Sequence, residues 1–216
     1  MNPSDVLKSI EHLPYFARGD LRAFRLPEKT LEVHLSRATQ QGRLYRLKRG
    51  IYTTKAFVDN IKTLNQLTAY REFLANVLVP SSYITNEYVL AKYELLTEAV
   101  FTITSITENR PTVIENDLGF FRYRNTANRL LSQFETVKTG QFQIKIANKI
   151  QALFDYLYLK KKELRIIDLQ TVRELRLNLH LLSTTDFAIL IARSKESKSK
   201  KLLKITSLLM ELNANQ

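Results

Sequence analysis

Apolar residues recur at helical spacing in three short runs before residue 42, and then the rhythm changes. Val6, Leu7, Ile10 and Leu13 predict a first helix, with Ser4 as a candidate N-cap. Phe16, Leu21 and Phe24 predict a second, with Gly19-Asp20 near its start. Pro27 opens a third, in which Leu31, Leu35 and Ala38 recur at i, i+4 and i+7 and Gly42 stands where a C′ glycine belongs. Beyond Gly42, Leu44, Leu47 and Ile51 alternate loosely with basic residues around Lys48-Arg49-Gly50. That is the two-strand pattern of a β-hairpin.

Helical spacing resumes from Asn60 to Val79, is broken at Pro80-Ser81-Ser82, and returns from Asn86 to Leu96. The middle of the chain then reads as strands. Val100 to Thr107 (VFTITSIT) alternates with period two, and Thr112 to Glu115, Gly119 to Arg124 and Phe142 to Ala147 are its expected partners. From Ile150 to Leu159 the pattern is helical again and stays mostly so to the end, where a basic, polar stretch (ARSKESKSKKLLK) precedes a last amphipathic turn. The fold class expected is α/β (α+β): an N-terminal winged helix-turn-helix over 1–55, then a mixed α/β domain over 56–216 with a helical C-terminal part.

Charge sharpens this picture. The chain of 216 residues carries 33 Lys+Arg against 21 Asp+Glu, a formal charge of +12, which points to a polyanionic partner. The absence of cysteine excludes disulfides and thiolate metal sites. The start, MNPSDVLKSIEHL, has neither a basic n-region nor a long apolar run, so a signal peptide is not expected. The apolar patches, such as Phe187 to Ala192, are short of the roughly 20 residues of a membrane span. A cytoplasmic protein without membrane contact is expected.

The order helix, turn, helix, basic hairpin is that of a winged helix-turn-helix, whose second paired helix lies in the major groove. On the third helix Leu31, Leu35 and Ala38 share one face, and Lys29, Thr30, Ser36, Arg37 and Gln40 lie away from it. Those side chains can donate to base edges or phosphate oxygens. The hairpin supplies Arg43, Arg46, Lys48 and Arg49 with no acidic residue between them, so a polyanion is the natural countercharge. Ser36, Arg37, Gln40 and Thr30 are the expected groove contacts; Arg46, Lys48 and Arg49 are expected at phosphate or the minor groove.

Catalytic signals are weaker. His12, His34 and His180 are scattered, and Gly42, Gly50, Gly119 and Gly140 stand singly, without a phosphate-binding loop. Glu115 and Asp117 are the one acidic pair that a metal-dependent nuclease could use. Asp155, on an otherwise apolar helix (ALFDYLY), reads as a buried structural carboxylate. The aromatics of GFFRYR read as core, with RNA stacking as the alternative, and Lys195 to Lys204 as a solvated charge run. No cofactor and no catalytic residue are expected. A metal-dependent nuclease and a module that binds an acidic protein are the alternatives to a DNA-binding protein.

Five phrases, in order, resemble one family, the AbiEi-type antitoxins of bacterial type IV toxin–antitoxin (abortive-infection) systems. They are GRLYRLKRGIY (Gly42–Tyr52), SSYITNEYVLAKYELL (Ser81–Leu96), TSITENRP (Thr104–Pro111), GFFRYR (Gly119–Arg124) and IANKIQALFDYLY (Ile146–Tyr158). The last departs from the family pattern, with Lys149, Ile150 and Gln151 where Pro-Glu-Lys is usual. The resemblance spans most of residues 5–160 and does not extend past Lys160. It implies a winged helix that represses its own operon by binding double-stranded operator DNA. It also implies a C-terminal domain that counters a nucleotidyltransferase-like toxin encoded nearby, without a stable complex.

Overall fold

A computed structural model describes residues 3–126 and 133–214. The fold is mixed α/β, and the chain divides into two compact units: Met1–Leu74 with Ile114–Phe120, and Ala75–Val113 with Phe121–Gln216.

In the first unit, helix α1 (Pro3–Ser9) is followed by a two-residue strand β1 (Phe16–Ala17), a 3-10 helix (Arg18–Phe24) and helix α2 (Glu28–Gln40). The hairpin β2 (Leu44–Lys48) and β3 (Ile51–Thr54) comes next, then α3 (Lys55–Thr63) and α4 (Leu67–Leu78). The sheet order is β1-β3-β2, antiparallel throughout. Val6, Ile10, Phe16, Leu21, Leu31, Leu35, Ala38 and Leu44 form one buried cluster, so the expected apolar faces do meet.

Local chemistry explains where these elements stop. Helix α2 ends in a Schellman motif: the Gly42 N–H donates to the Thr39 carbonyl and the Arg43 N–H to the Ala38 carbonyl, with Gly42 at φ +68°. The hairpin turns at Gly50, φ +77°, a left-handed position that suits glycine. Helix α3 starts on the Thr54 hydroxyl, which accepts from the Phe57 N–H at 3.1 Å.

Several expectations are corrected. Ser4 lies inside α1, since Pro3 is already helical, so it is not ahead of the helix as a cap. The second predicted helix is a 3-10 turn, and Phe16 belongs to a strand instead, paired with Tyr52. The single helix predicted from Asn60 to Val79 is two. Helix α3 ends at Thr63 in a second Schellman motif, with Asn65 at φ +55° and the Gln66 N–H on the Ile61 carbonyl. Asparagine tolerates that left-handed position, which apolar periodicity does not register. The compact unit also runs past residue 55. The Tyr70 hydroxyl donates to the Pro14 carbonyl (2.5 Å) and lies 2.9 Å from the Thr53 hydroxyl, which fastens α4 beneath the hairpin.

A six-stranded mixed sheet of order β6-β7-β5-β4-β9-β8 has most of its strands in the second unit. Its strands are β4 (Ser82–Ile84), β5 (Ile103–Thr107), β6 (Thr112–Asn116), β7 (Gly119–Asn125), β8 (Glu135–Thr139) and β9 (Phe142–Ile146). Strands β5 and β7 pair in parallel, as do β4 and β9, while β4–β5 and β8–β9 are antiparallel. All five residues of β5 are buried, so its sequence alternation does not mark a wet face. In β7, Phe121 and Tyr123 are buried while Phe120 and Arg122 are exposed, so the core reading of GFFRYR holds for alternate residues.

Helices α5 (Asn86–Lys92), α6 (Lys149–Glu163), α7 (Leu169–Arg173), α8 (Thr184–Glu196) and α9 (Lys200–Ala214) complete the unit. Helix α5 stops at Lys92, four residues before the predicted end, where Glu94 adopts φ +58°. The stretch read as a polar tail is helical on both sides of a turn at Lys198: α8 is buried through Phe187, Leu190 and Ser194, and α9 through Leu202, Ile205 and Leu209. No helix among the described residues is long and apolar enough to cross a membrane.

Candidate nucleic-acid interface

The face of α2 opposite Leu31, Leu35 and Ala38 is open. Lys29, Thr30, Ser36, Arg37 and Gln40 are all exposed on it. In the hairpin Arg43, Arg46 and Arg49 are exposed and Lys48 is half-buried. Arg43 Nη2 donates to Gln41 Oε1 at 2.8 Å, which holds that guanidinium over the end of α2.

Helix and hairpin share a groove of about 440 Å³ lined by Ser36, Thr39 and Gln40 from α2 and by Arg46, Arg49 and Tyr52 from the hairpin. Of the residues picked from sequence, the groove thus gathers Ser36, Gln40, Arg46 and Arg49. Lys29, Thr30, Arg37, Arg43 and Lys48 are not part of its lining. Among the described residues no carboxylate forms an ion pair with Arg46 or Arg49.

Two lining residues escape the sequence pattern, Arg18 and Glu32. Their place follows from the β1–β3 pairing: Ala17 sits opposite Ile51, and the Arg18 N–H donates to the Gly50 carbonyl at 2.9 Å. This sets the Arg18 side chain against α2, where it bridges Glu28 (3.1 Å) and Glu32. The groove therefore carries two unpaired guanidinium groups from the hairpin and one neutralised from below. A two-residue strand leaves no periodic signal, so only the structure reveals this third arginine.

The acidic pair Glu115 and Asp117 is exposed on β6 and in the turn after it. Beside them, Asn116 Nδ2 donates to the Leu47 carbonyl at 2.9 Å and Asn116 Oδ1 accepts from the Leu118 N–H. Asn116 thus braces the turn and the hairpin strand β2 together.

Asp155, in the second unit, is fully buried, as its sequence setting suggested. Its Oδ2 accepts from the Thr85 hydroxyl (2.7 Å) and the Tyr83 hydroxyl (2.9 Å), and its Oδ1 from Gln151 Nε2 (2.7 Å). All three donors are neutral. Burial pushes this carboxyl up to about 7, against the opposing pull of those donors and of the Arg193 charge. The same burial, together with the Asp155 charge, raises the Tyr83 phenol and keeps it a donor. Gln151 Oε1 is buried without a partner. The cluster joins β4 to α6 and offers a proton-binding group inside the unit.

No model of a known protein family matches the chain, and no curated protein matches it significantly.

Proposed function

We propose that the first unit is a winged helix-turn-helix that binds double-stranded DNA, with α2 in the major groove and the β2–β3 hairpin against the backbone. The observation that carries this is the groove where the exposed polar side chains of α2 meet Arg46 and Arg49, whose charges no carboxylate of the described residues pairs. Base edges are read by side chains that donate and accept in fixed geometry, which Ser36 and Gln40 supply; phosphate needs only positive charge, which the hairpin supplies. The net charge of +12 supports a polyanionic partner.

The resemblance to AbiEi-type antitoxins extends the reading. The DNA is the operator of the protein's own operon, the protein is its autorepressor, and the second unit counters a toxin encoded nearby.

A gel shift with the protein's own upstream DNA tests the first part. Retardation is expected at low salt, weakening on the order of a thousandfold between about 50 and 200 mM if roughly six phosphates are neutralised. No retardation at low salt would refute it. Rescue of growth from the neighbouring toxin by the full chain, lost on removal of the second unit, tests the rest.

A further inference from the structure

The second unit holds a cleft of about 660 Å³, within the usual range for small-molecule sites. Glu87 of α5, Glu98 of the loop that follows, and Glu174 after α7 line it, with Tyr156 and Lys160 of α6, Arg176, and the apolar Leu96, Val100 and Leu175. Its walls are stitched by backbone. Leu96 bridges Leu177, the Asn178 N–H donates to the Leu95 carbonyl (3.0 Å), and Asn178 Nδ2 donates to the Glu94 carbonyl (2.6 Å).

Two polar groups in this cleft lack partners. Tyr156 is only 6% exposed, and its hydroxyl has no hydrogen bond to any described residue. Glu87 Oε2 is buried without a partner, while its other oxygen lies 3.8 Å from Arg124. Leaving the Glu87 oxygen dry and unpaired is costly, so a ligand that bonds it gains accordingly, and the Tyr156 hydroxyl, which keeps contact with solvent, can bond the same ligand. Burial, with the charges of Glu87, Glu163 and Glu98, pushes the Tyr156 phenol up to about 12, so it stays protonated.

The cations of the lining are already answered. Lys160 pairs with Glu163 at 2.8 Å, and Arg176 lies 3.9 Å from Glu98 on the open rim. Among the described residues Glu174 accepts only from Gln170 Nε2, at 3.2 Å. With Glu98 taken up by Arg176, Glu87 and Glu174 are the two carboxylates left facing the cleft in a strongly basic protein. Yet among the described residues no three acidic or histidine side chains come close enough together to hold a metal ion. Separated carboxylates with apolar residues between them suit an extended cation rather than a point charge.

We propose that this cleft binds an aliphatic diamine or polyamine, with ammonium groups at Glu87 and Glu174 and the hydrocarbon stem along Leu96, Val100 and Leu175. The site lies wholly in the second unit and does not depend on DNA binding by the first.

Titration calorimetry of the full chain with 1,4-diaminobutane and with spermidine tests it. The expected result is saturable one-to-one binding, about tenfold weaker or more in Glu87→Gln and in Tyr156→Phe, since each removes one bond to a charged or buried group. Circular dichroism melting shows whether those variants fold. Glu174→Gln, at an exposed position, should also weaken binding and cannot disturb the core. No saturable binding of either amine, or an affinity that none of the folded variants changes, overturns the proposal. So does displacement of the amine by magnesium at matched ionic strength, which would make the cleft a metal site.

Discussion

Replacing Asp155 by asparagine should stabilise the protein at neutral and alkaline pH, although it removes a buried, triply hydrogen-bonded carboxylate. Asparagine keeps an oxygen to accept from Tyr83 and Thr85. If the Gln151 amide turns over, the new Nδ2–H can donate to Gln151 Oε1, which has no partner in the present arrangement. The hydrogen bonds survive and the buried charge goes. The gap between the ordinary 3.8 of an aspartate and about 7 in the fold corresponds to roughly 4 kcal/mol.

The sign follows from proton binding. Between those two values the folded state holds a proton that the unfolded chain has released. The contribution of Asp155 is therefore most favourable below the lower value, is lost as pH rises through about 7, and is flat above. Urea unfolding of both proteins at about pH 5, 6.5 and 8 gives the test. With asparagine matching the protonated carboxyl, the variant should lead by roughly 1–2 kcal/mol at the acid end, since pH 5 already lies above 3.8, and by up to roughly 4 kcal/mol at the alkaline end. A stability difference that does not change with pH, or an asparagine variant weaker than wild type at the alkaline end, would refute the reasoning.

Other variants probe the first unit. Arg49→Ala should weaken binding to all DNA sequences alike and reduce the salt slope by about 1. Gln40→Ala should blur the preference for operator over random DNA by roughly 1–3 kcal/mol, as measured by competition gel shifts. Equal effects from the two would mean that α2 does not enter the groove. Glu32→Gln removes a negative charge from the α2–hairpin groove and leaves Arg18 paired with Glu28 alone, so it should tighten non-specific binding; weaker binding would show that the Arg18–Glu32 pair is needed in place. Gly50→Ala forces a side chain onto φ +77° and should cost about 1–2 kcal/mol in urea unfolding. Tyr70→Phe, which deletes the bonds to Pro14 and Thr53, should cost about the same.

Residues whose structural role depends on near neighbours were readable from sequence. The apolar stripe of Leu31, Leu35 and Ala38, the stop at Gly42 and the turn at Gly50 each follow from helical period or backbone stereochemistry within a few positions. Strand β4, three buried residues after a proline, and β8, five exposed ones, carry no contrast of apolar and polar positions, and neither was predicted. The same holds for β1. Because Arg18 reaches the groove through β1, one of its lining charges was invisible while Ser36, Gln40, Arg46 and Arg49 were not. The identification of Asp155 as a buried carboxylate was local, from its apolar helix; its partners Tyr83 and Thr85 lie some 70 residues away and become its partners only once β4 enters the sheet.

The Tyr70 hydroxyl has a consequence for portability. A fragment cut after residue 55 would retain α2 and the hairpin but lose Tyr70, leaving Thr53 and the Pro14 carbonyl without it, and would strip away Phe57, Val58 and Ile61, all buried in the intact chain. Grafting the hairpin and its helices onto another protein would therefore have to carry α3 and α4 as well. It would also need a substitute for Asn116, which braces β2 from a stretch more than forty residues beyond Leu74. The segment of helices and hairpin, though contiguous in sequence, is not a detachable part.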